Sequence, residues 1–125
     1  MMNKKRPKHL ALHKIKLPLP GLVSILHRAS GALLFLALPL LLWLFQSSLR
    51  SIETYTQMQL LLVQPLCKLV LLGLSWAFFH HVCAGVRFLA LDLHWGVDLP
   101  HARASSRWVL GVSLALTIMT GALLW

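Results

Sequence analysis

The sequence predicts an all-α integral membrane protein with three transmembrane helices that form part of a larger, multi-subunit helical bundle. Hydrophobic residues make up 58% of its 125 residues and charged residues only 12%, about half the charged share of a soluble domain. The apolar residues are collected in long stretches that are separated by short polar segments, as expected of chains that cross the hydrocarbon region of a bilayer. We predict helices over about residues 22–45, 60–91 and 108–125.

The first span, about residues 22–45, contains Pro39, where we expect a kink, because proline removes one hydrogen bond of the helix. The polar segment 46–57 is predicted to be a loop on one side of the membrane. The segment 92–107 is predicted to be a loop on the other side, because Gly96 and Pro100 indicate a turn. Residues 22–125 thus form one anchor domain. Three such helices bury little surface among themselves, so we expect partner subunits.

A basic arm, residues 1–21, precedes the first span. The positive charges before that span are Lys4, Lys5, Arg6, Lys8, Lys14 and Lys16. Arg103 and Arg107 lie between the second and third spans, whereas Arg50 and Lys68 lie at the opposite side of the membrane. The positive-inside rule therefore predicts a cytoplasmic N-terminus and a C-terminus, Trp125, on the outer side. Topology accounts for the net charge of +9, so we expect the lipid bilayer and no nucleic acid as a partner.

Two adjacent histidines, His80 and His81, lie within the second predicted span. A histidine at membrane depth usually faces a bundle interior, a cavity or a cofactor. Steps of four residues from His81 lead to small residues, namely Gly73, Ala77 and Gly85, whereas steps from His80 lead to Trp76 and Ala84. A small-residue face leaves room for a flat ligand such as a porphyrin or for another helix. His81 is therefore the better ligand candidate, and a simple hydrogen bond across a helix interface is the alternative.

The stretch SILHRASG lies where the first span begins. Ser24, His27, Arg28 and Gly31 have the spacing i, i+3, i+4 and i+7, which puts them on one face of a helix. A hydroxyl and a guanidinium can stabilise negative charge that develops on a bound ligand. The alternative is that the arginine and histidine extend to the lipid headgroups while the serine caps the helix.

Three motifs resemble one known family, the haem-binding membrane-anchor (cytochrome b) subunits of succinate dehydrogenase. RPKHLAL, residues 6–12, is similar to the family pattern RP-x-x-L-x-L. SILHRASG resembles S-I-L-H-R-x-S-G, and HVCAGVRFLALD, residues 81–92, resembles H-x-x-x-G-I-R-H-x-x-x-D. The order of the motifs and the three spans agree as well. One departure is clear: Phe88 stands where the family pattern has a histidine.

The resemblance implies a role for each matching residue. His81 is expected to be an axial ligand of haem b, with the second axial histidine supplied by a companion membrane subunit. Ser24 and Arg28 are expected to bind the quinone. The residues expected near the haem or its propionates are His27, Arg28, Gly85 and Arg87. Asp92 either pairs with an arginine, such as Arg28 or Arg87, or is simply a helix-end residue. We interpret His80 as a packing residue or as one that supports the ligand site without touching the ligand.

The family implies a subunit of succinate:quinone oxidoreductase in the bacterial cytoplasmic membrane. Its partners would be a flavoprotein carrying FAD, an iron–sulfur subunit with its clusters and the companion anchor, with ubiquinone as the substrate. Alone, this chain would catalyse nothing. Two alternatives stay within the architecture, a fumarate reductase anchor and a haem-free structural anchor. A small cation transporter is disfavoured because Glu53, Asp92 and Asp98 all lie outside the predicted membrane interior.

Overall fold

Four α-helices make up the part of the chain that the computed structural model describes, residues 16–125, and no strand occurs there. They are α1 (Leu19–Arg50), α2 (Ile52–Leu62), α3 (Pro65–Asp92) and α4 (Leu99–Leu124). The helices α1, α3 and α4 are long and apolar enough to cross a membrane, so the prediction of an all-α protein with three spans is confirmed. Residues 1–15, which hold most of the basic arm and the RPKHLAL motif, lie outside the described residues.

Helix α1 is longer than predicted at both ends. Pro18 precedes it and Pro20 lies in its first turn, where a missing amide proton costs nothing and the fixed φ suits a helix. The helix continues through Pro39 to Arg50. It ends because Ser51 adopts an extended backbone, with φ −163° and ψ 163°. The last residues of the arm and the first residues of the predicted outer loop are therefore helical.

The prediction of an outer loop over residues 46–57 is wrong, because residues 52–62 form the separate helix α2. Ser51 starts this helix with a reciprocal cap. Its Oγ accepts a hydrogen bond from the Thr54 amide at 3.1 Å, and the Ser51 amide donates to Thr54 Oγ1 at 3.2 Å. Each bond satisfies an amide group that would otherwise lack a partner at a helix start.

The second and third spans also begin at different residues from those predicted. Helix α3 starts at Pro65, not at residue 60, because residues 60–62 end α2 and Pro65 occupies a first-turn position. Helix α4 starts at Leu99, not at residue 108. Pro100 was expected to mark a turn, but it lies in the first turn of α4, a position that proline favours.

A tight turn joins α3 to α4. The amide of Trp95 donates to the carbonyl of Ala90 at 3.0 Å, and the amide of His94 donates to that of Leu91 at 2.9 Å. His94 has a φ of 60° and Gly96 a φ of 70°, which is the left-handed geometry of a Schellman helix end. At the start of α4, a hydrogen bond from His101 lowers the pKa of the Asp98 carboxyl.

Small and polar side chains fill the centre of the bundle, where α1, α3 and α4 all touch one another. The buried residues are Val23 and Ser30 in α1, Ala77, His80, Ala84 and Arg87 in α3, and Ser106, Val109, Ser113 and Thr117 in α4. The buried hydroxyls of α4 donate to carbonyls of their own helix, as Ser106 does to Ala102 at 2.8 Å. Small side chains let membrane helices approach closely, and large apolar side chains such as Phe35 and Leu36 point outward.

Candidate functional site

The imidazole of His81 is held by the backbone of α1. Its Nδ1 lies 3.1 Å from the carbonyl oxygen of His27 and 3.3 Å from Oγ of Ser30. Because a carbonyl oxygen only accepts hydrogen bonds, Nδ1 must carry the proton and donate it to His27. Ser30 donates its own hydroxyl proton to the same carbonyl at 2.9 Å. The ring orientation and the tautomer of His81 are therefore both fixed.

Protonation of Nδ1 leaves Nε2 of His81 with a free lone pair. Nε2 has no hydrogen-bond partner within residues 16–125, and it is not among the nitrogen atoms that these residues enclose. An imidazole whose one nitrogen is anchored to a carbonyl and whose other nitrogen is accessible has the arrangement of a metal-ligating histidine. The described residues contain no cluster of three or more metal-ligating side chains, so His81 would act as a single ligand from this part of the chain.

The ring of His27 covers one face of the His81 ring. The two ring centroids are 4.3 Å apart and the planes differ by 10°. His27 also lies beside Phe88, at 5.1 Å between ring centroids, and a Cβ placed on Gly85 would lie 3.7 Å from its Nε2. The three residues of the motif on α3, His81, Gly85 and Phe88, thus surround the His27 side chain.

Gly31 makes the close approach of α1 to His81 possible. A Cβ at this position would lie 2.8 Å from Cε1 and 3.2 Å from Nδ1 of His81. The shorter distance is well inside van der Waals contact, so any larger residue would displace the imidazole. The last residue of SILHRASG therefore has a steric reason to be glycine.

The neighbouring histidine, His80, is placed very differently. It is fully buried, and neither ring nitrogen has a hydrogen-bond partner in the described part of the chain. The backbone carbonyl of Val23 faces the ring outside hydrogen-bonding geometry, and the ring stacks on Trp76 at 5.1 Å. An external ligand would reach these nitrogens only if the helices separated.

Ser24 and Arg28 lie on the same face of α1 as His27, at the end of the bundle where α1 begins. Ser24 is half-buried and Arg28 is exposed. Neither side chain makes a hydrogen bond to another residue within the range 16–125 that the structure covers. His27 lies about 12 Å along the axis from the start of α1, and His81 about 17 Å from the end of α3. The histidine pair is therefore near the same end as these two polar side chains.

Arg87 points toward α4 and away from the histidine pair. It is buried, with 8% exposure, and its Nε–H donates to Ser105 Oγ at 2.9 Å. Its Nη2 donates to the Ala102 carbonyl at 3.4 Å. Asp92, at the end of α3, is exposed and forms no ion pair with Arg28 or Arg87. Its position matches the helix-end alternative.

Sequence reasoning missed two residues of the site, Ser30 and Ser105. Ser30 lies within the SILHRASG motif but off the face that the spacing defines, and it bonds both to the chain of α1 and to His81. Ser105 lies in a segment that was expected to be a loop. A helix through residues 99–107 would have indicated a partner for Arg87.

The fold and site define a class, a helical membrane subunit with an anchored, accessible histidine near one end of its bundle. Residues 2–120 match the family described as succinate dehydrogenase/fumarate reductase transmembrane subunit. The chain is 37% identical over 125 residues to the succinate dehydrogenase cytochrome b556 subunit of Coxiella burnetii, covering 99% of this chain and 100% of that relative. It is 32% identical to the succinate dehydrogenase cytochrome b556 subunit of Rickettsia felis, with 92% of this chain and 90% of that relative covered. It is 28% identical to the subunit of the same name from Paracoccus denitrificans, with 92% of this chain and 88% of that relative covered.

The chain belongs to the succinate dehydrogenase/fumarate reductase transmembrane subunit family. The resemblance to the cytochrome b subunits of succinate dehydrogenase, stated from three motifs, is confirmed.

The bond between Arg87 and Ser105 yields a prediction for stability. Ser105→Ala should lower the stability of the protein by about 1–3 kcal/mol, because it removes an acceptor from a buried cation. In an Arg87→Met background, the same serine substitution should have little effect, because no cation then needs the acceptor. Melting midpoints of the four purified proteins, wild type, both single variants and the double variant, measure this coupling. Equal losses in the two backgrounds would contradict it.

Proposed function

We propose that this chain binds haem b through His81, together with a companion membrane subunit, and contributes Ser24 and Arg28 to a quinone-reduction site. The observation that carries the proposal is the state of His81, with Nδ1–H bonded to the His27 carbonyl at 3.1 Å and Nε2 accessible. The chain acts as a membrane-anchor subunit of succinate dehydrogenase, whose flavoprotein and iron–sulfur subunits oxidise succinate and deliver electrons toward the membrane.

The residues present fit a haem. A neutral imidazole is the form that ligates a metal, and the hydrogen bond to the His27 carbonyl makes it a stronger donor. Gly31 lets α1 pass within contact of the ring, and His27 and the exposed Arg28 are available to the anionic propionates. When bound, haem would supply one-electron redox chemistry.

Gly85 and Arg87 take supporting parts in this proposal. Gly85 lies beside the His27 ring, where a methyl group would make an ordinary van der Waals contact with Nε2 at 3.7 Å. Arg87 is bonded to α4 through Ser105, so it holds α3 in register with α4 behind the histidine pair. Its positive charge would favour the anionic propionates without a direct contact.

Ser24 and Arg28 are proposed to bind the quinone headgroup. Reduction of a quinone adds two electrons and two protons, and negative charge develops on its oxygens. The Arg28 guanidinium stabilises that charge and the Ser24 hydroxyl donates a hydrogen bond to the same oxygen, an arrangement that favours the charged transition state. Both side chains have donors that no residue in the range 16–125 engages.

The proposed orientation places this site on the cytoplasmic side of the bacterial membrane. Lys16, Arg103 and Arg107 are at the end of the bundle that carries Ser24 and Arg28, and positive charges favour the cytoplasmic side. The second axial histidine comes from the companion subunit. The relatives named above are succinate dehydrogenase subunits, which favours succinate oxidation over fumarate reduction as the physiological direction.

The first test replaces each histidine in turn within the purified complex. We expect His81→Ala to abolish the b-type bands in a reduced-minus-oxidised absorption spectrum, because the variant lacks the anchored imidazole that presents Nε2. We expect His80→Ala to keep the bands, because the His80 nitrogens are enclosed. Succinate oxidation with a soluble artificial acceptor shows that each complex has assembled. Bands that survive in His81→Ala and vanish in His80→Ala would contradict the assignment.

The second test concerns the quinone. Arg28→Leu should lower succinate:ubiquinone activity by about 10- to 100-fold, the loss expected when a charge-assisted bond of about 1.5–3 kcal/mol is removed. Oxidation of succinate with the artificial acceptor should not change. Arg103→Leu is the matched control, since it removes an exposed cation from α4. Equal quinone activity in wild type and Arg28→Leu would refute the role of Arg28.

A further inference from the structure

A cleft with an apolar part and a polar part lies where α1, α2 and α3 meet. The apolar part is a cavity of about 220 Å³, lined by all three helices and including Leu41, Leu62 and Leu71. The polar part is a cavity of about 420 Å³ between α1 and α2. The two parts share the side chains of Trp43, Leu44 and Leu61, so they adjoin each other.

The polar part contains one cation and several neutral polar groups. Among residues 16–125, Arg50 is the only charged residue that lines either cavity, and Ser47, Thr54 and Gln57 lie around it. The ion pair found within residues 16–125 joins His101 to Asp98, so Arg50 has no carboxylate partner there. An arginine in this position can bind a phosphate group through two parallel hydrogen bonds.

This cleft is separate from the histidine site. Arg50 ends α1, whereas His27 lies near its beginning, and the separation along the helix axis is about 35 Å. That distance is close to the thickness of the hydrocarbon core of a bilayer. The cleft therefore lies toward the opposite end of α1 from the histidine pair.

We propose that the cleft binds one anionic glycerophospholipid, with its phosphate on Arg50 and an acyl chain in the apolar part. The lining of the cleft changes along its length in the order that this ligand requires. The cation and the hydroxyl groups line the polar part, Trp43 lies at the boundary, and leucines line the apolar part. Tryptophan is favoured at the level of the lipid headgroups.

The test measures lipid binding to the purified complex by native mass spectrometry. The complex is delipidated in mild detergent and titrated with phosphatidylglycerol or with the zwitterionic phosphatidylcholine. Arg50→Gln should weaken phosphatidylglycerol binding about fivefold, the fold-change that corresponds to about 1 kcal/mol for one cation at a lipid surface. The matched control is Lys68→Gln, a cation at the same end of the bundle whose ammonium lies 5.5 Å over the Trp125 ring. It should leave binding unchanged.

A second variant, Leu61→Trp, places a large side chain where the two cavities join and should weaken binding of both lipids. Unchanged haem bands and succinate oxidation in every variant show that the complex is intact. Equal phosphatidylglycerol binding by wild type and Arg50→Gln would overturn the proposal, and so would an equal loss in Lys68→Gln. Cross-linking of the Leu61→Cys variant to the companion subunit would also overturn it, since the cleft would then be a protein interface.

Discussion

The contact between α1 and the His81 imidazole is the constraint on which the proposed site depends. One carbonyl, that of His27, accepts the Nδ1 proton of His81 at 3.1 Å and the Ser30 hydroxyl proton at 2.9 Å. Gly31 allows the two helices to approach closely enough for these bonds to form. Together they select one tautomer and one ring orientation, and the accessible Nε2 follows from that selection.

The rest of the bundle keeps this contact in register. Small and hydroxylated side chains along α3 and α4 permit close packing, and their hydroxyl protons go to carbonyls of the same helix, as in Thr117 and Ser113. Arg87 adds a bond from α3 to α4. Two adjacent histidines consequently have opposite environments. His80 points into the closed centre, while His81 is rotated by about 100° on the helix and reaches the α1 side.

The sequence predicted the three spans because hydropathy over a whole membrane thickness is a strong, local signal. The prediction missed α2 and the early start of α4, because hydropathy does not detect the residues that begin a helix. Ser51 and Thr54 cap the start of α2, and Pro100 lies in the first turn of α4. Motif resemblance was needed to distinguish His81 from simple packing. The contact of Ser30 with His81 could not be predicted from spacing, since it depends on how α1 and α3 are packed. The second axial ligand could not be predicted either, because a residue of another subunit is absent from this sequence.

The most direct test of the central claim changes the close approach and leaves both histidines intact. Gly31→Ala puts a methyl carbon 2.8 Å from Cε1 of His81, whereas Gly73→Ala on α3 meets no atom within 4 Å and serves as the control. Reduced-minus-oxidised spectra of the two purified complexes, scaled to protein, measure retained haem. We expect about tenfold weaker haem retention in Gly31→Ala, the effect of about 1–3 kcal/mol of overpacking, and none in Gly73→Ala. Identical spectra from both variants would contradict the account.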